Sequence, residues 1–297
     1  MRPKELFGGI EAGGTKFVCV IGTGPGDIRA MVHFPTTTPE ETIRQAVGFF
    51  LKERKKSPVT AIGVGSFGPL DLSPASPTHG YITTTPKPGW GNTNIAENIR
   101  TALNVRTIID TDVNCAALGE GKWGAAQKLD SFVYLTVGTG IGGGGLYNSR
   151  LMHGLDHPEM GHIRIPHDFQ KDPYPGCCPF HGDCLEGLAS GTALKDRWQC
   201  FPEDLPADHP AWDLEAAYLA YGLVNLIYIL SPQRIIIGGG VMKQPRLMPE
   251  IRSKIRCLLG GYMNSPALND LNTYLVSPGL GDLSGAMGAI ALASEPL

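Results

Sequence analysis

The amino-acid sequence predicts an α/β protein that contains two related units. Apolar strand patterns alternate with helical patterns along the chain, which favours layers of helices on sheets. A strand, glycine turn, strand pattern occupies Phe7–Gly22 and returns at Asp130–Tyr147. The chain of 297 residues is 42% hydrophobic and 18% charged, so it has the apolar content for a large core.

The elements can be assigned in order from periodicity and turn residues. In the first half, the predicted helices are 39–56, 94–103 and 114–124, the strands after the hairpin are 61–68 and 105–112, and 69–88 is a loop rich in Pro, Thr and Ser. In the second half, 153–187 is irregular, 212–230 and 246–259 are helical, and 231–241 is a strand that runs into glycines. A helix of small residues is predicted within 279–293.

The charge balance and the cysteine pattern narrow the functional classes. The formal net charge is −3, so we expect no nucleic-acid partner and no binding to anionic membranes. No unbroken apolar run reaches the roughly 18 residues of a membrane span, and the first residues lack the apolar region of a signal peptide. Seven cysteines, three of them within Cys177–Cys184, indicate a reducing compartment and a metal site rather than disulfides.

Three glycine-rich turns each follow a predicted strand. Residues 9–16 (GIEAGGTK) are close to a P-loop with its last two residues inverted, but a P-loop opens a helix and a strand follows here. Residues 138–143 (GTGIGG) fit a dinucleotide fingerprint, yet no helix follows them. The third turn is Gly238–Gly240. Each alone is either an ordinary turn or a cradle of backbone amides for phosphate, and together they predict a nucleotide site.

Two acids mark the end of the strand 105–112. Asp110 and Asp112 lie there, close to Asn114. A carboxylate at a strand end can serve as general base for a substrate hydroxyl. The structural alternative is that Asp112 or Asn114 caps the following helix. The two roles are compatible, and the sequence leaves both open.

His162, Cys178, His181 and Cys184 form the most specific local pattern. They are spaced H-x15-C-x2-H-x2-C, and two-residue gaps let ligands converge on a tetrahedral zinc ion. Cys177 can replace Cys178, and His157 or His167 can replace His162; the remaining alternative is a group of free thiols. With four ligands the site would be closed and structural. The neighbouring acids Glu159 and Glu186 are either sugar ligands or solvated charges.

Trp90 lies among prolines and glycines in KPGWG (87–91). An aromatic ring in such a loop either stacks on a substrate or covers the core. The sequence does not separate these two roles.

Six motifs in this order resemble one known family, the ROK (repressor/open-reading-frame/kinase) family, and within it the bacterial zinc-containing fructokinases. They are EAGGTK (11–16), TDVNCAALGE (111–120), VGTGIGGG (137–144), the E-x-G-H of 159–162, CPFHGDCLEG (178–187) and IIIGGGV (235–241). The resemblance extends over essentially the whole chain.

The resemblance implies a fold, cofactors and an assembly. The fold is the two-domain actin-like ATPase (ribonuclease H-like) fold of the actin/hexokinase superfamily, with a nucleotide cleft and a zinc-binding loop at 157–187. It implies a small domain at 1–115 completed by 284–297, and a large domain at 116–283. ATP, Mg²⁺ and structural Zn²⁺ are the implied cofactors, and a cytoplasmic homodimer is the implied assembly.

The resemblance also assigns roles to individual residues. Asp112 matches the catalytic base. Glu159, His162 and Glu186 match sugar contacts. We expect the sugar site also to include Gly68, Pro69, Trp90, Thr111 and Asp112. Positions that match nucleotide and magnesium contacts are Glu11, Gly13, Gly14, Thr15, Lys16, Gly138, Thr139, Gly140, Ala189, Gly238, Gly239 and Gly240, with Ala189 near adenine. His162, Cys178, His181 and Cys184 match the zinc ligands.

Departures from the family pattern bear on the substrate. Glu11 stands where many members of the superfamily have Asp, and Thr111 stands where glucose-specific members often have Asn. The Cys-x2-His-x2-Cys knuckle differs from the three-cysteine pattern of glucokinase-like members and favours fructose. The short stretch before the first strand has no room for the helix-turn-helix of repressor members.

The resulting hypothesis is phosphorylation of D-fructose by ATP at the 6-hydroxyl. Alternatives are a glucose, mannose or N-acetylmannosamine kinase of the same family, a non-catalytic sugar sensor on the same fold, and an NAD-dependent oxidoreductase.

Overall fold

The structure is a computed structural model that describes residues 5–295. Within them the chain forms two compact units. The first unit holds the chain up to Lys128, Arg150–Pro158 and the chain from Pro278 onward; the second holds Leu129–Ser149 and Glu159–Ser277. The predicted boundary at 115/116 falls inside a helix of the first unit, and the first division comes after Lys128 instead.

Twelve strands and ten α-helices lie within the described residues. The strands are β1 (Leu6–Ala12), β2 (Lys16–Gly24), β3 (Asp27–Pro35), β4 (Val59–Ser66), β5 (Tyr81–Ile82), β6 (Thr93–Asn94), β7 (Arg106–Thr111), β8 (Phe132–Val137), β9 (Ile141–Tyr147), β10 (Arg150–Leu151), β11 (Arg234–Gly238) and β12 (Leu275–Val276). The helices are α1 (Pro39–Glu53), α2 (Ile95–Leu103), α3 (Asp112–Trp123), α4 (Leu185–Ala189), α5 (Gly191–Trp198), α6 (Ala211–Leu230), α7 (Leu247–Leu259), α8 (Pro266–Asn269), α9 (Leu271–Tyr274) and α10 (Ser284–Ala293).

The two larger sheets share one strand order. The first is β3-β2-β1-β4-β7 and the second is β10-β9-β8-β11-β12. In each sheet an antiparallel hairpin, β1–β2 or β8–β9, is extended on the side of its first strand by parallel strands. The prediction of two copies of one architectural unit is therefore confirmed.

Helices cover both faces of the first sheet. On one face α1 and α2 pack over an apolar cluster that includes Ile10, Phe17 and Trp90. On the other face α10 packs on α3 and on the strands. Gly63 permits that close approach, because a Cβ at this position would lie 2.0 Å from the carbonyl oxygen of Ala289. Small residues thus bring the last helix against the strands that carry the site.

The helices predicted from the sequence are found in the structure at nearly the predicted positions, whereas an edge strand was missed. The predicted helices 39–56, 94–103, 212–230 and 246–259 are found as α1, α2, α6 and α7, with ends that differ by no more than three residues. The strand β3 was not predicted. It is an edge strand whose side chains are mostly exposed or half-buried, so it lacks the apolar run of an inner strand.

One helix, α6, is long and apolar enough to cross a membrane by length and composition alone. An unbroken apolar run does not reveal it, because Asp213 and Glu215 interrupt the pattern. Of its most apolar window, 56% is buried inside the structure, and α6 packs against α4 and α7. A core helix passes the same test of length and composition.

Candidate functional site

The carboxyl ends of three strands lie side by side at one edge of the first sheet. The register pairs Ala12 of β1 with Ser66 of β4, and Ser66 with Thr111 of β7. The chain segments that follow these strands therefore meet at this edge, which is where ligands bind in open α/β sheets. The turn 13–16, the segment 68–69 and Asp112, which were all predicted as site residues, are brought together there.

Three carboxyl groups gather at the same edge. Glu11 and Asp110 are both register partners of Gly65, so their side chains leave the same face of the sheet. Asp112 follows as the first residue of α3, and its carboxylate accepts the N–H of Val113 at 2.9 Å. Burial raises the pKa of Asp112 to about 6. Burial, and next the negative charge of Asp112, raise the pKa of Glu11 to about 7.

The helix cap is neither of the two predicted residues. Thr111 caps α3, because its side-chain oxygen accepts the N–H of Asn114 at 3.1 Å. The structural alternative for Asp112 as N-cap is therefore wrong. Thr111 itself, predicted as a sugar contact, is 4% exposed and serves the cap. The carboxylate of Asp112 is thus not the cap of this helix.

A buried polar network that the sequence pattern does not predict lies beside Asp112. Asp110 Oδ1 accepts the N–H of Thr111 at 2.7 Å and the side-chain amide of Asn114 at 2.8 Å. Asp110 Oδ2 lies 2.9 Å from His153 Nε2, and this hydrogen bond raises the pKa of His153. The available signal is a pair of histidines four residues apart in HGLDHP (153–158).

The second histidine of that pair, His157, holds the segment 68–70. Its Nε2 accepts the backbone N–H of Leu70 at 2.9 Å. Burial lowers the pKa of His157, which keeps the ring neutral and able to accept. His157 was an alternative zinc ligand in the sequence, and its place in the first unit gives it a different role.

Trp90 belongs to the core. The side chain has no exposed surface, and its Nε1–H donates to the carbonyl oxygen of Thr37 at 2.8 Å. Its ring centroid lies 5.7 Å from that of Phe17 and 5.3 Å from that of Phe67. The predicted stacking on a substrate is therefore wrong, because no face of the ring is open.

One carboxylate oxygen at the acidic edge fits a bound cation. Glu11 Oε2 is buried and has no hydrogen-bond partner among residues 5–295. A buried, unpartnered carboxylate oxygen is costly unless an ion or proton satisfies it. Carboxylate oxygens are the ligands Mg²⁺ takes in proteins, so Glu11, with Asp112 nearby, suits this ion.

The glycine turns of the second unit come together with the start of α5. Gly191 N–H donates to Gly138 O at 2.7 Å, and the Thr192 hydroxyl donates to Thr139 O at 2.7 Å. Gly239 has φ +99°, and a Cβ on it would lie 2.3 Å from Val137 O. The second and third turns are thus neighbours. Ala189 has no exposed surface, so the predicted contact with adenine at this side chain is not available.

The four predicted metal ligands converge within the second unit. One ligand atom from each of His162, Cys178, His181 and Cys184 lies within 4.8 Å of all the others. Cys178 Sγ is 3.7 Å from His162 Nδ1 and 3.6 Å from His181 Nδ1, and Cys184 Sγ is 3.5 Å from His162 Nδ1. A tetrahedral zinc ion with bonds of about 2.0–2.3 Å holds its ligands about 3.3–3.8 Å apart. The group therefore fits Zn²⁺.

The alternative ligands lie elsewhere. Cys177 Sγ is 3.8 Å from the Ser190 hydroxyl, and His167 Nδ1 is 3.3 Å from an oxygen of Asp183. Neither belongs to the four-residue group.

Glu186 connects the metal group to the second glycine turn. Its Oε2 accepts the N–H of Ile141 at 2.9 Å, and its Oε1 lies 4.0 Å from His162 Nε2. A Cβ on Gly140 would lie 2.5 Å from Glu186 Oε2, so a side chain there would displace this carboxylate. A carboxylate behind a metal-bound histidine orients the ring. Glu159 is exposed and directly precedes the short turn Met160–His162.

Known proteins match this chain over nearly its full length. It is 45% identical to a fructokinase of Zymomonas mobilis, over 98% of this chain and 97% of that protein. It is 42% identical to a fructokinase of Pediococcus pentosaceus, over 98% and 99%. The crystal structure of a ROK hexokinase from Thermus thermophilus superposes with a TM-score of 0.78 at 28% identity, covering 97% of both chains.

These similarities agree with the repeated strand order and confirm the predicted actin-like ATPase fold. The profile of the ROK family matches residues 7–296. The chain belongs to the ROK family.

Proposed function

We propose that the chain is an ATP-dependent fructokinase that phosphorylates the 6-hydroxyl of D-fructose. The observation that carries this proposal is Asp112: a carboxylate at the strand edge, free of capping duty, with its pKa raised to about 6. Two relatives above 40% identity carry the name fructokinase, which supports the choice of sugar.

Asp112 is the general base. Its carboxylate takes the proton of the 6-hydroxyl as the oxygen attacks the γ-phosphorus of ATP. The bond from that phosphorus to the β,γ-bridging oxygen breaks, and ADP leaves with that oxygen. The raised pKa makes it a better proton acceptor than an ordinary aspartate, while it is still ionised at neutral pH. The N–H of Val113 fixes the orientation of the carboxylate.

Phosphate binding falls to the glycine turns. In the first unit, Thr15 and Lys16 are exposed at the end of the turn and supply a hydroxyl and an ammonium group. In the second unit, the backbone amides near Gly138–Gly140 and Gly238–Gly240 serve the nucleotide. When bound, Mg²⁺ neutralises phosphate charge, and Glu11 is the residue that would hold it.

The zinc site is structural. His162, Cys178, His181 and Cys184 would hold the ion, and four protein ligands would leave no position for substrate. Its role is to hold the segment that carries Glu159, His162 and Glu186, which we assign to the sugar together with Gly68 and Pro69. We also assign the protein to the cytoplasm as a homodimer, in line with the family resemblance.

The experiment is ADP release with ATP and Mg²⁺ across fructose, mannose, glucose and N-acetylmannosamine. We expect fructose to give the highest kcat/KM by at least tenfold. Higher turnover with an aldose would overturn the assignment of sugar and keep the kinase. Calorimetric binding of fructose without any ADP release would indicate a sugar sensor instead.

A further inference from the structure

Residues 150–158, which we name the histidine loop, contact the first sheet at the edge where β4 and β7 end. The loop leaves the second unit's sequence and returns to it, yet it belongs to the first unit. His153 binds Asp110 at the end of β7, and His157 binds the N–H of Leu70 just after β4. Between them Leu155 is 97% exposed. The loop begins with β10, which pairs with β9, and after that strand the two imidazoles tie it to the ends of β7 and β4.

The two nitrogens of His153 are in different situations. A carboxylate oxygen can only accept, so Nε2 carries the proton that lies between the ring and Asp110 Oδ2. Nδ1 has no hydrogen-bond partner among residues 5–295, and the side chain is 43% exposed. One edge of the ring is thus fixed by a buried acid while the other faces solvent.

The location of His153 bears on what the free nitrogen can bind. Asp110 is two residues before Asp112, and both lie at the edge where the strands end. On the proposed function, Asp112 engages the hydroxyl that is phosphorylated. A second oriented polar atom, tied to Asp110 at the same edge, is then a candidate to bind another hydroxyl of the same sugar.

We propose that His153 is a specificity-determining residue of the sugar site, whose Nδ1 hydrogen-bonds a hydroxyl of the ketose other than the one phosphorylated. This proposal rests on the proposed function. Asp110 acts as a positioning residue because it accepts the proton of Nε2. Asn114 acts through Asp110, because its side-chain amide donates to Asp110 Oδ1 at 2.8 Å. Neutral Nδ1 accepts from the hydroxyl, and protonated Nδ1 donates to it, so the contact persists in both charge states.

A glutamine substitution separates ligand binding from structural support. His153→Gln can place its amide nitrogen where Nε2 lies and keep the bond to Asp110, but it has no atom in the place of Nδ1. We expect KM and Kd for fructose to rise about tenfold, the effect of one lost hydrogen bond between uncharged groups. We expect kcat within about twofold of wild type and an unchanged Tm. His33→Gln, on the exposed side of β3, is the matched control.

Sugar analogues identify the hydroxyl. We would measure Kd by calorimetry for 1-deoxy-, 3-deoxy- and 4-deoxy-D-fructose and for 2,5-anhydro-D-mannitol, which lacks the anomeric hydroxyl. For one analogue the ratio of Kd between His153→Gln and wild type should fall to about one, because the partner of Nδ1 is gone. An equal ratio for all four would overturn the proposal.

The two possible failures can be told apart. If wild type releases no ADP with fructose, or prefers an aldose, the proposed function and the ketose contact both fail. If wild type phosphorylates fructose and His153→Gln binds it with unchanged Kd, only the role of His153 fails. A variant His153→Ala that loses stability while His153→Gln retains both Tm and Kd would assign a purely structural role to the residue.

Discussion

Two long irregular segments lead to the site residues, and they are held by different means. Residues 67–92 of the first unit, the aromatic loop, are fixed by burial: Trp90 and Leu70 are 0% and 2% exposed and join the apolar core. Residues 159–184 of the second unit, the metal loop, expose Phe169 and Phe180, each 57% accessible. The metal loop has four converging ligands instead.

The difference follows from what each segment can bury. The aromatic loop passes over a sheet face already lined with Phe17 and Phe34, so one large ring adds to an existing core. The metal loop contains little regular structure, only a short 3₁₀ turn and isolated bridges such as Cys178 with Gly182. A segment that cannot bury enough apolar surface is commonly stabilised by a metal. Variants in each loop can test this contrast, and a variant of Asp112 tests the proposed base at the site to which the loops lead.

Asp112→Asn should have the largest effect on activity. The amide keeps the shape of the carboxylate but cannot take a proton, so kcat should fall about 10³-fold. Calorimetry should give a Kd for fructose within about threefold of wild type. The control is Glu40→Gln on the exposed side of α1. Near-normal kcat in Asp112→Asn would refute the assignment of the base.

Trp90→Ala tests the aromatic loop. Removing a fully buried indole should lower the free energy of unfolding by about 3–5 kcal/mol, from lost burial and the cavity left behind. Urea denaturation measures this, and zinc content should be unchanged because the metal ligands lie in the other unit. A loss below about 1 kcal/mol would contradict the core role of Trp90.

Cys184→Ser tests the metal loop. Elemental analysis should show about one zinc per chain in wild type and close to none in the variant. Amide hydrogen exchange should rise within 159–184 and stay unchanged within 67–92, and kcat/KM should fall tenfold or more. The matched control is Cys257→Ser, an exposed cysteine outside the ligand group. Absence of zinc from the wild-type protein would contradict the proposal that a metal ion stabilises this loop.

The pH dependence should show a gradual effect, within about tenfold for the first pH unit below the pKa. Because the base acts in its ionised form and the pKa of Asp112 is raised to about 6, activity is lost as pH falls through that value. kcat/KM should decline about tenfold per pH unit below about pH 6 and stay level between pH 7 and 8. Circular dichroism at each pH separates titration from unfolding. A level profile down to pH 4.5 would exclude Asp112 as the titrating base.

Local spacing explains what could be predicted. Within the group that fits zinc, Cys178, His181 and Cys184 are three residues apart in turn, so the sequence itself nearly fixes their geometry. Only His162 lies at a distance from them in the sequence. The glycine turns and the inner strands have equally local signatures. The repeated hairpin predicted two related units because a strand, glycine turn, strand pattern is also local in sequence.

Only the tertiary structure decided which side chains serve the core and which face the site. The residues next to Trp90 in sequence are compatible with stacking on a substrate and with packing inward. Trp90 packs inward because its ring contacts Phe17 and Phe67. His153 reaches Asp110 across 43 positions of sequence. Neither contact leaves a periodic trace in the chain, because each depends on how distant segments pack.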